Sequence, residues 1–262
     1  MKFKILLTIL PLYLSLLSNG QNIYSALQHN RKEEIRNKVA TQIIEENTFF
    51  NSNGKEINKN IKLLNEYNLV LVEERYGEDG KLKAKLTYEY DSTGLKSLWR
   101  KFERWNSGRY SMETAFYEYD NKGYLIKTTD KNSQGNVIQQ TLLLNNEKGH
   151  PIELQLLDGK GNSFCFEYAK YDYDKNKAYT EVKSNSGNTL SSDTLSIEFN
   201  KQEIQEPGKE YNKQGDLIRT KGSVREYVYD EFGNWTLLKM HKLEKGKKKN
   251  NRVFKRKIKY KE

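Results

Sequence analysis

The side chains best equipped for chemistry in this 262-residue chain are few and scattered. His29, His150 and His241 lie in a linker, a turn beside Pro151 and a strand-like run, with no motif in common. Each reads as a solvated or packed ring rather than a ligand or base. The one cysteine, Cys165, sits in the apolar run Phe164-Cys165-Phe166 with no histidine or basic neighbour in sequence, which suits packing better than nucleophilic attack. A lone cysteine forms no internal disulfide, and no paired Cys/His spacing suits a structural zinc. Asp172-x-Asp174-x-Asn176 copies the first three ligand positions of a calcium loop. Lys177 and Lys183 then occupy the sixth and twelfth positions, so the turn-forming glycine and the bidentate glutamate are both missing. Nucleophile-elbow, zincin, P-loop and dinucleotide-binding signatures are absent. The chain therefore reads as a non-enzyme, with catalytic residues, metal ligands and cofactors all expected to be none. Carboxylates are plentiful, so an enzyme acting on envelope polysaccharide through a glycosidase-type pair stays open as the alternative.

Binding chemistry has more candidates. Trp99, Trp105 and Tyr110 are aromatic residues that no repeating pattern demands. With a two-residue period, Trp99, Lys101, Glu103 and Trp105 share one face of a strand, opposite Arg100, Phe102 and Arg104. Large residues on both faces imply that one face is exposed or covered by a partner. The second candidate is the basic end. Residues 239–262 carry twelve Lys/Arg against two Glu, so they hold as much net charge as the whole chain, +10. Lys255, Lys257, Lys259 and Lys261 alternate with Phe254, Ile258 and Tyr260, Arg256 interrupting the apolar set. Lys247, Lys248, Lys249, Arg252, Lys255, Lys257 and Lys259 read either as docking groups for an anionic membrane or polysaccharide surface, or as a final edge strand protected by lysine.

The elements that position these groups follow from a turn rhythm. Tyr88-Glu-Tyr90-Asp91-Ser-Thr-Gly94 recurs as Tyr117-Glu-Tyr119-Asp120-Asn-Lys-Gly123 and as Tyr227-Val-Tyr229-Asp230-Glu-Phe-Gly233. Degenerate copies include Leu144-Asn145 to Gly149, Tyr171-Asp-Tyr173-Asp174 to Asn176, and Tyr211-Asn212 to Gly215. Asp or Asn opens each turn by accepting a backbone hydrogen bond, and Gly or Asn three residues on takes the positive φ that closes a hairpin. A second turn such as Asp79-Gly80 or Gln134-Gly135 falls between copies. Turns this regular, with β-branched and aromatic runs between them, predict an all-β antiparallel meander of about fifteen strands over 38–262. The expected form is an elongated, twisted, mostly single-layer sheet, open or half-rolled. The Tyr-x-Tyr rings read as its core, with exposed stacking rungs as the alternative. Only residues 21–37 stand apart, as a linker or short helix with Ile23, Leu27 and Ile35 at helical spacing.

Composition agrees. At 35% apolar residues and a mean hydropathy of −0.92, no multi-span helical membrane protein is possible, while 12% aromatic content is too high for disorder. Met1 to Gly20 has the three parts of a secretory signal: Lys2 and Lys4, an apolar run over 5–17, then Ser18 and Gly20 before Gln21. With no cysteine at that cut a lipoprotein anchor is excluded. The chain is expected to be exported to the periplasm or cell surface, which disfavours nucleic acid as a partner.

The Tyr-x-Tyr-Asp-x-x-Gly units resemble YD repeats, also called RHS repeats, most closely at 117–125 and 227–235. That resemblance implies a curved sheet of stacked hairpins in an exported bacterial protein, without the toxin role of large members. The function expected is a non-catalytic binding or scaffolding module whose ligand is an envelope glycan or a partner protein. A purely structural spacer is the third reading. Perturbed carboxylates in a closed cleft would favour the enzyme, and exposed aromatics outside the repeat positions would favour binding over the spacer.

Overall fold

The computed structural model describes residues 22–106, 108–197 and 208–262, so the signal-like segment lies outside the described residues. One helical turn, α1 (Ile23–Leu27), precedes seventeen strands. These are β1 (Ala40–Asn51), β2 (Gly54–Leu64), β3 (Val70–Tyr76), β4 (Leu82–Tyr90), β5 (Ser97–Asn106), β6 (Arg109–Tyr119), β7 (Leu125–Asn132), β8 (Val137–Asn145) and β9 (Pro151–Asp158). There follow β10 (Ser163–Asp172), β11 (Lys177–Ser184), β12 (Thr189–Ser196), β13 (Glu210–Tyr211), β14 (Leu217–Thr220), β15 (Ser223–Tyr229), β16 (Trp235–Glu244) and β17 (Lys247–Tyr260). All belong to one antiparallel sheet. β13 and β14, two and four residues long, are too short to register as runs in the sequence and account for the excess over fifteen.

From β2 to β12, and from β13 to β17, each strand pairs with its successor. β1 joins the two runs by pairing with β2 on one side and β17 on the other. This corrects the edge-strand reading of the basic C-terminus: β17 lies inside the sheet, flanked by β16 and β1. Its lysines guard no edge.

The repeat turns form as their residues dictate. The Asp120 carboxylate accepts from the backbone N–H of Lys122 and Tyr124, and Gly123 takes φ +84° as the strands close with a one-residue register shift. Asn68 and Asn176, which stand where other copies have glycine, adopt φ +60° and +50°. The tyrosine that ends a strand ties its hairpin to the preceding one. Tyr90, Tyr119 and Tyr171 donate their hydroxyls to the carbonyls of Val70, Ser97 and Pro151 at 2.9, 2.8 and 2.6 Å, and Asn145 does the same to Leu125.

The segment before β1 is a strap that crosses the inner face of the sheet. Ile23 N–H donates to Glu167 on β10, Asn30 accepts from the Ser97 backbone N–H on β5, and Arg31 pairs with Glu73 on β3 at 2.6 Å. Glu33 pairs with Lys62 of β2 at 2.7 Å and Arg256 of β17 at 3.5 Å, and Arg36 exchanges bonds with Asp216 and Asn234. Along the sheet, β10 to β16 is an arc of about 53 Å at ~4.8 Å per strand. The strap from Ile23 to Arg36 reaches at most about 45 Å, less for its helical turn. A chord shorter than its arc requires a rolled sheet with the strap inside. Two apolar clusters fill the strap side: one joins Ile23 and Ala26 to Tyr117, Leu154 and Cys165, the other gathers Ile43, Leu64, Val70, Leu86, Tyr88 and Tyr90.

Where the strap crosses β3, the Glu73 side chain is only 1% exposed and is held by Arg31 and by Arg75 at 2.8 Å. Glu73→Ala is expected to cost about 1–3 kcal/mol, because it removes the buried acceptor of two arginines that are themselves about a third exposed. Urea unfolding of the variant checks this. A loss under 1 kcal/mol would show that the strap is held by its apolar contacts alone.

Candidate functional site

Directly opposed residues on neighbouring strands share a face, so the pairing registers map both walls of the rolled sheet. On the inner wall the strap end is apolar and the other end polar. One row runs Tyr88, Arg100, Ala115, Asp130, Gln139, Asp158 across β4 to β9. The row beside it brings Tyr117, Thr128, Thr141, Leu156 and Cys165 together. Thr128 and Thr141 are fully buried and their hydroxyls have no hydrogen-bond partner, nor has the Nε of Arg100. Burial pushes the Asp130 carboxyl up to about 6, with nearby Glu113 adding to the rise and Arg100 opposing it. A carboxyl shifted this way meets half of what the enzyme alternative required; the cleft beside the strap is lined by neither Asp130 nor Glu113.

A cleft of about 710 Å³ lies where the strap passes the repeat turns. Ala26, Leu27, Leu125, Leu143 and Pro151 give it apolar walls, and His29, Glu34, Tyr124, Lys148 and His150 polar ones. The Tyr124 ring packs against Gly149, where a β-carbon would come to 2.5 Å from the ring. Burial lowers the pKa of His29, whose Nδ1 donates to the Ala26 carbonyl at 2.7 Å. Burial, then the charge of Lys148, also lowers that of His150. Both imidazoles are therefore neutral near pH 7. Cys165 is buried at the foot of β10 with its thiol pushed up to about 11 by burial and by Glu167, an unreactive state. Asp172 accepts from the backbone N–H of Lys175 and pairs with its ammonium.

The residues singled out for ligand contact lie on the outer wall. Trp105 and Tyr110 flank one hairpin tip with ring centroids 5.5 Å apart, and the Tyr110 hydroxyl donates to Glu103. Trp99 is opposed to Phe116, six residues and about 20 Å along the strand from Trp105. The three do not form one platform. Sequence reasoning passed over a better one. Phe166 and Tyr168 on β10 stack at 6.2 Å and 17°, and Leu142 and Leu144 on β8 present the same face across Gln155 and Glu153 of β9. The alternation Phe-x-Tyr at 166–168, out of phase with buried Cys165 and Glu167, was the available signal.

The basic set is split. Lys255, Lys257 and Lys259 point outward, opposed to Glu46, Ile44 and Gln42. Lys248 and Lys249, at the start of β17, pair with Glu226 and Glu244, and Lys247 opposes Glu244. Arg252 belongs to the inner wall instead, 5.4 Å over the ring of Phe49. Arg256, which broke the alternation, is also inward and pairs with Glu45 at 2.8 Å. Burial pushes the Glu45 carboxyl up, but Lys62 and Arg256 beside it pull it down further, leaving it below the ordinary range.

No family model matches this chain, and no curated protein does. Among solved structures, a porin-like protein from Bacteroides uniformis is 12% identical with a TM-score of 0.46, over 84% of this chain and 98% of the other. A porin-like protein from Bacteroides vulgatus is 8% identical with a TM-score of 0.20, over 86% and 99%. A putative outer membrane lipoprotein-sorting protein domain from Vibrio parahaemolyticus is 11% identical with a TM-score of 0.16, over 67% and 94%. The resemblance to YD repeats is not upheld: no family model, of those repeats or any other, matches the chain. The spacing has a local cause in this fold, a hairpin turn tied to the previous hairpin by Tyr90, Tyr119 and Tyr171 at three steps and by Asn145 at another.

Asp130 makes a pH prediction. Its folded pKa is raised above the unfolded value, so the folded state holds more protons and stability falls as pH rises from about 4 to 6. Asp130→Asn should therefore raise stability at pH 7.5 by at most about 3 kcal/mol and leave it unchanged below pH 4. Thermal unfolding at the two pH values reads the difference; an equal effect at both would place the cause elsewhere.

Proposed function

We propose that the chain is a non-catalytic binding or scaffolding module of the bacterial envelope, exported to the periplasm or cell surface, whose outer wall takes a glycan or a partner protein. The observation that carries this reading is the set of aromatic and aliphatic residues left exposed outside the repeat tyrosines. Tyr110 is 52% exposed, Leu144 57%, Phe164 43% and Phe116 37%. A structural spacer has no use for them.

The same wall argues against insertion in a bilayer. Its apolar residues alternate with ion pairs, Lys85–Glu74 at 3.2 Å, Lys127–Glu118 at 2.9 Å, Lys183–Glu181 at 3.2 Å and Lys255–Glu46 at 3.4 Å. A membrane barrel needs an outward apolar band about 25 Å tall, and each midplane lysine costs about 2–4 kcal/mol. The outer wall fits water and a wet, polar partner surface. Replacing Phe166 and Tyr168 together by Ser is expected to abolish capture of the protein on isolated cell envelope while leaving its melting temperature within a few degrees. Capture equal to the parent protein's would refute the outer-wall site.

Docking through the outward lysines is tested on the whole chain, since removing β17 would strip β1 of its partner. Lys255, Lys257 and Lys259 changed to Glu should lower envelope retention at low salt and flatten its salt dependence, because exposed charges are screened within about 8–10 Å at physiological ionic strength. The enzyme reading rests on Asp130 and Glu113. It would gain from saccharide release from envelope polysaccharide that is lost in both Asp130→Asn and Glu113→Gln.

A further inference from the structure

The chain holds ten arginines, and six of them, Arg75, Arg100, Arg104, Arg225, Arg252 and Arg256, sit at inward positions of the sheet. Outward strand positions mostly carry lysine, as at Lys85, Lys101, Lys127, Lys183 and Lys257, with inward Lys62 and outward Arg219 as exceptions. Charge alone would not sort the two residue types this way. Arginine differs in its planar fork of donors and in stacking on rings.

Three of the inward arginines lie on β3 to β5. Arg104 and Arg75 flank Ala84 in one row, and Arg100 lies two pleat repeats, about 13 Å, along the strand of Arg104, with Phe102 between them. Arg104 lies between Ala84 and Ser111, both small, and Arg100 between the buried Tyr88 and Ala115. Arg75 is held by Glu73, whereas Arg100 and Arg104 make neither an ion pair nor a side-chain hydrogen bond among the described residues. Arg104 is held by a ring, its guanidinium 4.2 Å over Phe102. Stacking occupies the face of the guanidinium and leaves its in-plane N–H donors free. Beside these donors stand acceptors, Glu113 opposite Phe102 and Asp130 beyond Ala115. The fully buried hydroxyl of Thr128, two residues from Asp130, is also without a partner.

We propose that this polar end of the inner wall binds an oligosaccharide carrying carboxylates, a uronic-acid type glycan. The choice follows from the mixture of groups. A phosphate or sulfate offers acceptors only, and would set its charge against Glu113 and Asp130. A neutral sugar leaves the arginine forks empty. A uronate brings one carboxylate for Arg100 or Arg104 and hydroxyl donors for the two acids. The proposal deepens the glycan arm of the proposed function but places the ligand inside the roll, on residues that the outer-wall variants do not touch.

Calorimetric titration of the purified whole chain with tetragalacturonate, maltotetraose and inositol hexakisphosphate separates the cases. Binding is expected for tetragalacturonate alone. Arg104→Met and Arg100→Met should each weaken it about tenfold or more. Arg104→Lys, which keeps the charge and loses the fork, should fall between. Melting temperatures of all three variants within a few degrees of the parent exclude misfolding as the cause. The Phe166/Tyr168 double variant should bind as the parent does. Equal binding of maltotetraose, binding of inositol hexakisphosphate in preference, full affinity in Arg104→Lys, or no binding of tetragalacturonate would each overturn the inner site. Envelope capture through the outer wall would stand or fall separately.

Discussion

A one-layer sheet of seventeen strands has two faces and only enough apolar residues for part of one, so its stability turns on how that part is covered. Here the cover is the chain's own strap, fixed by buried charge. Arg31 and Glu33 on the strap meet Glu73, Lys62 and Arg256 on three strands, and Glu45 completes the set. Such pairs return little net stability relative to apolar residues of equal volume, because each ion loses its hydration. What they supply is register. A strap anchored only by Ile23 and Ala26 could slide along the inner face, whereas Glu33 seated between Lys62 and Arg256 has one position. The curvature of the sheet follows from it, since the strap is too short to span the same strands laid flat.

The same constraint explains what was legible in the sequence and what was not. Turns are local chemistry. Asp120 and Gly123, or Asn146 and Gly149, write their hairpin into six residues, and the meander could be read from them with the lengths of its runs. Strand adjacency in a meander comes with the turns. The pairing of β1 with β17 does not, because no turn joins residues 43 and 258. Reading β17 as an edge followed from that blind spot. One residue pointed the right way: Arg256, the misfit in an otherwise clean alternation, is the member of β17 that reaches the strap.

The tyrosines show how a repeat can look like ancestry and have a mechanical cause. Tyr90, Tyr119 and Tyr171 each reach back to the first residue of the strand before, and Asn145 performs the same bond in the copy that lacks tyrosine. A hydroxyl that must span one hairpin to a fixed carbonyl sets the ring at the strand end, next to the Asp or Asn that opens the turn. The rings between, such as Tyr88 and Tyr117, are buried against the strap side and need only be large and flat. The sequence reading of these rings as core holds for them. The hydrogen bond carried by their partners two residues on could not be inferred from one chain, since its acceptor lies twenty residues upstream on another strand.

The candidate site was the least legible part, for a related reason. Aromatic residues are conspicuous in sequence, and Trp99, Trp105 and Tyr110 drew notice on that ground. Yet a binding surface on a sheet is a matter of rows, and rows are set by register. Leu142, Gln155 and Phe166 become neighbours only when β8, β9 and β10 are aligned. Arg100 and Asp130 likewise share a row across Ala115, though thirty residues separate them. Once the rows are known, the excess of lysine over arginine stops being a statement about net charge. Lysine keeps the outer wall wet and, Lys62 apart, arginine furnishes the inner one, so a chain of +10 presents two surfaces of different chemistry. The strap takes its ion pairs from Glu73, Lys62, Arg256 and Asp216, and makes none with Arg100 or Arg104 among the described residues.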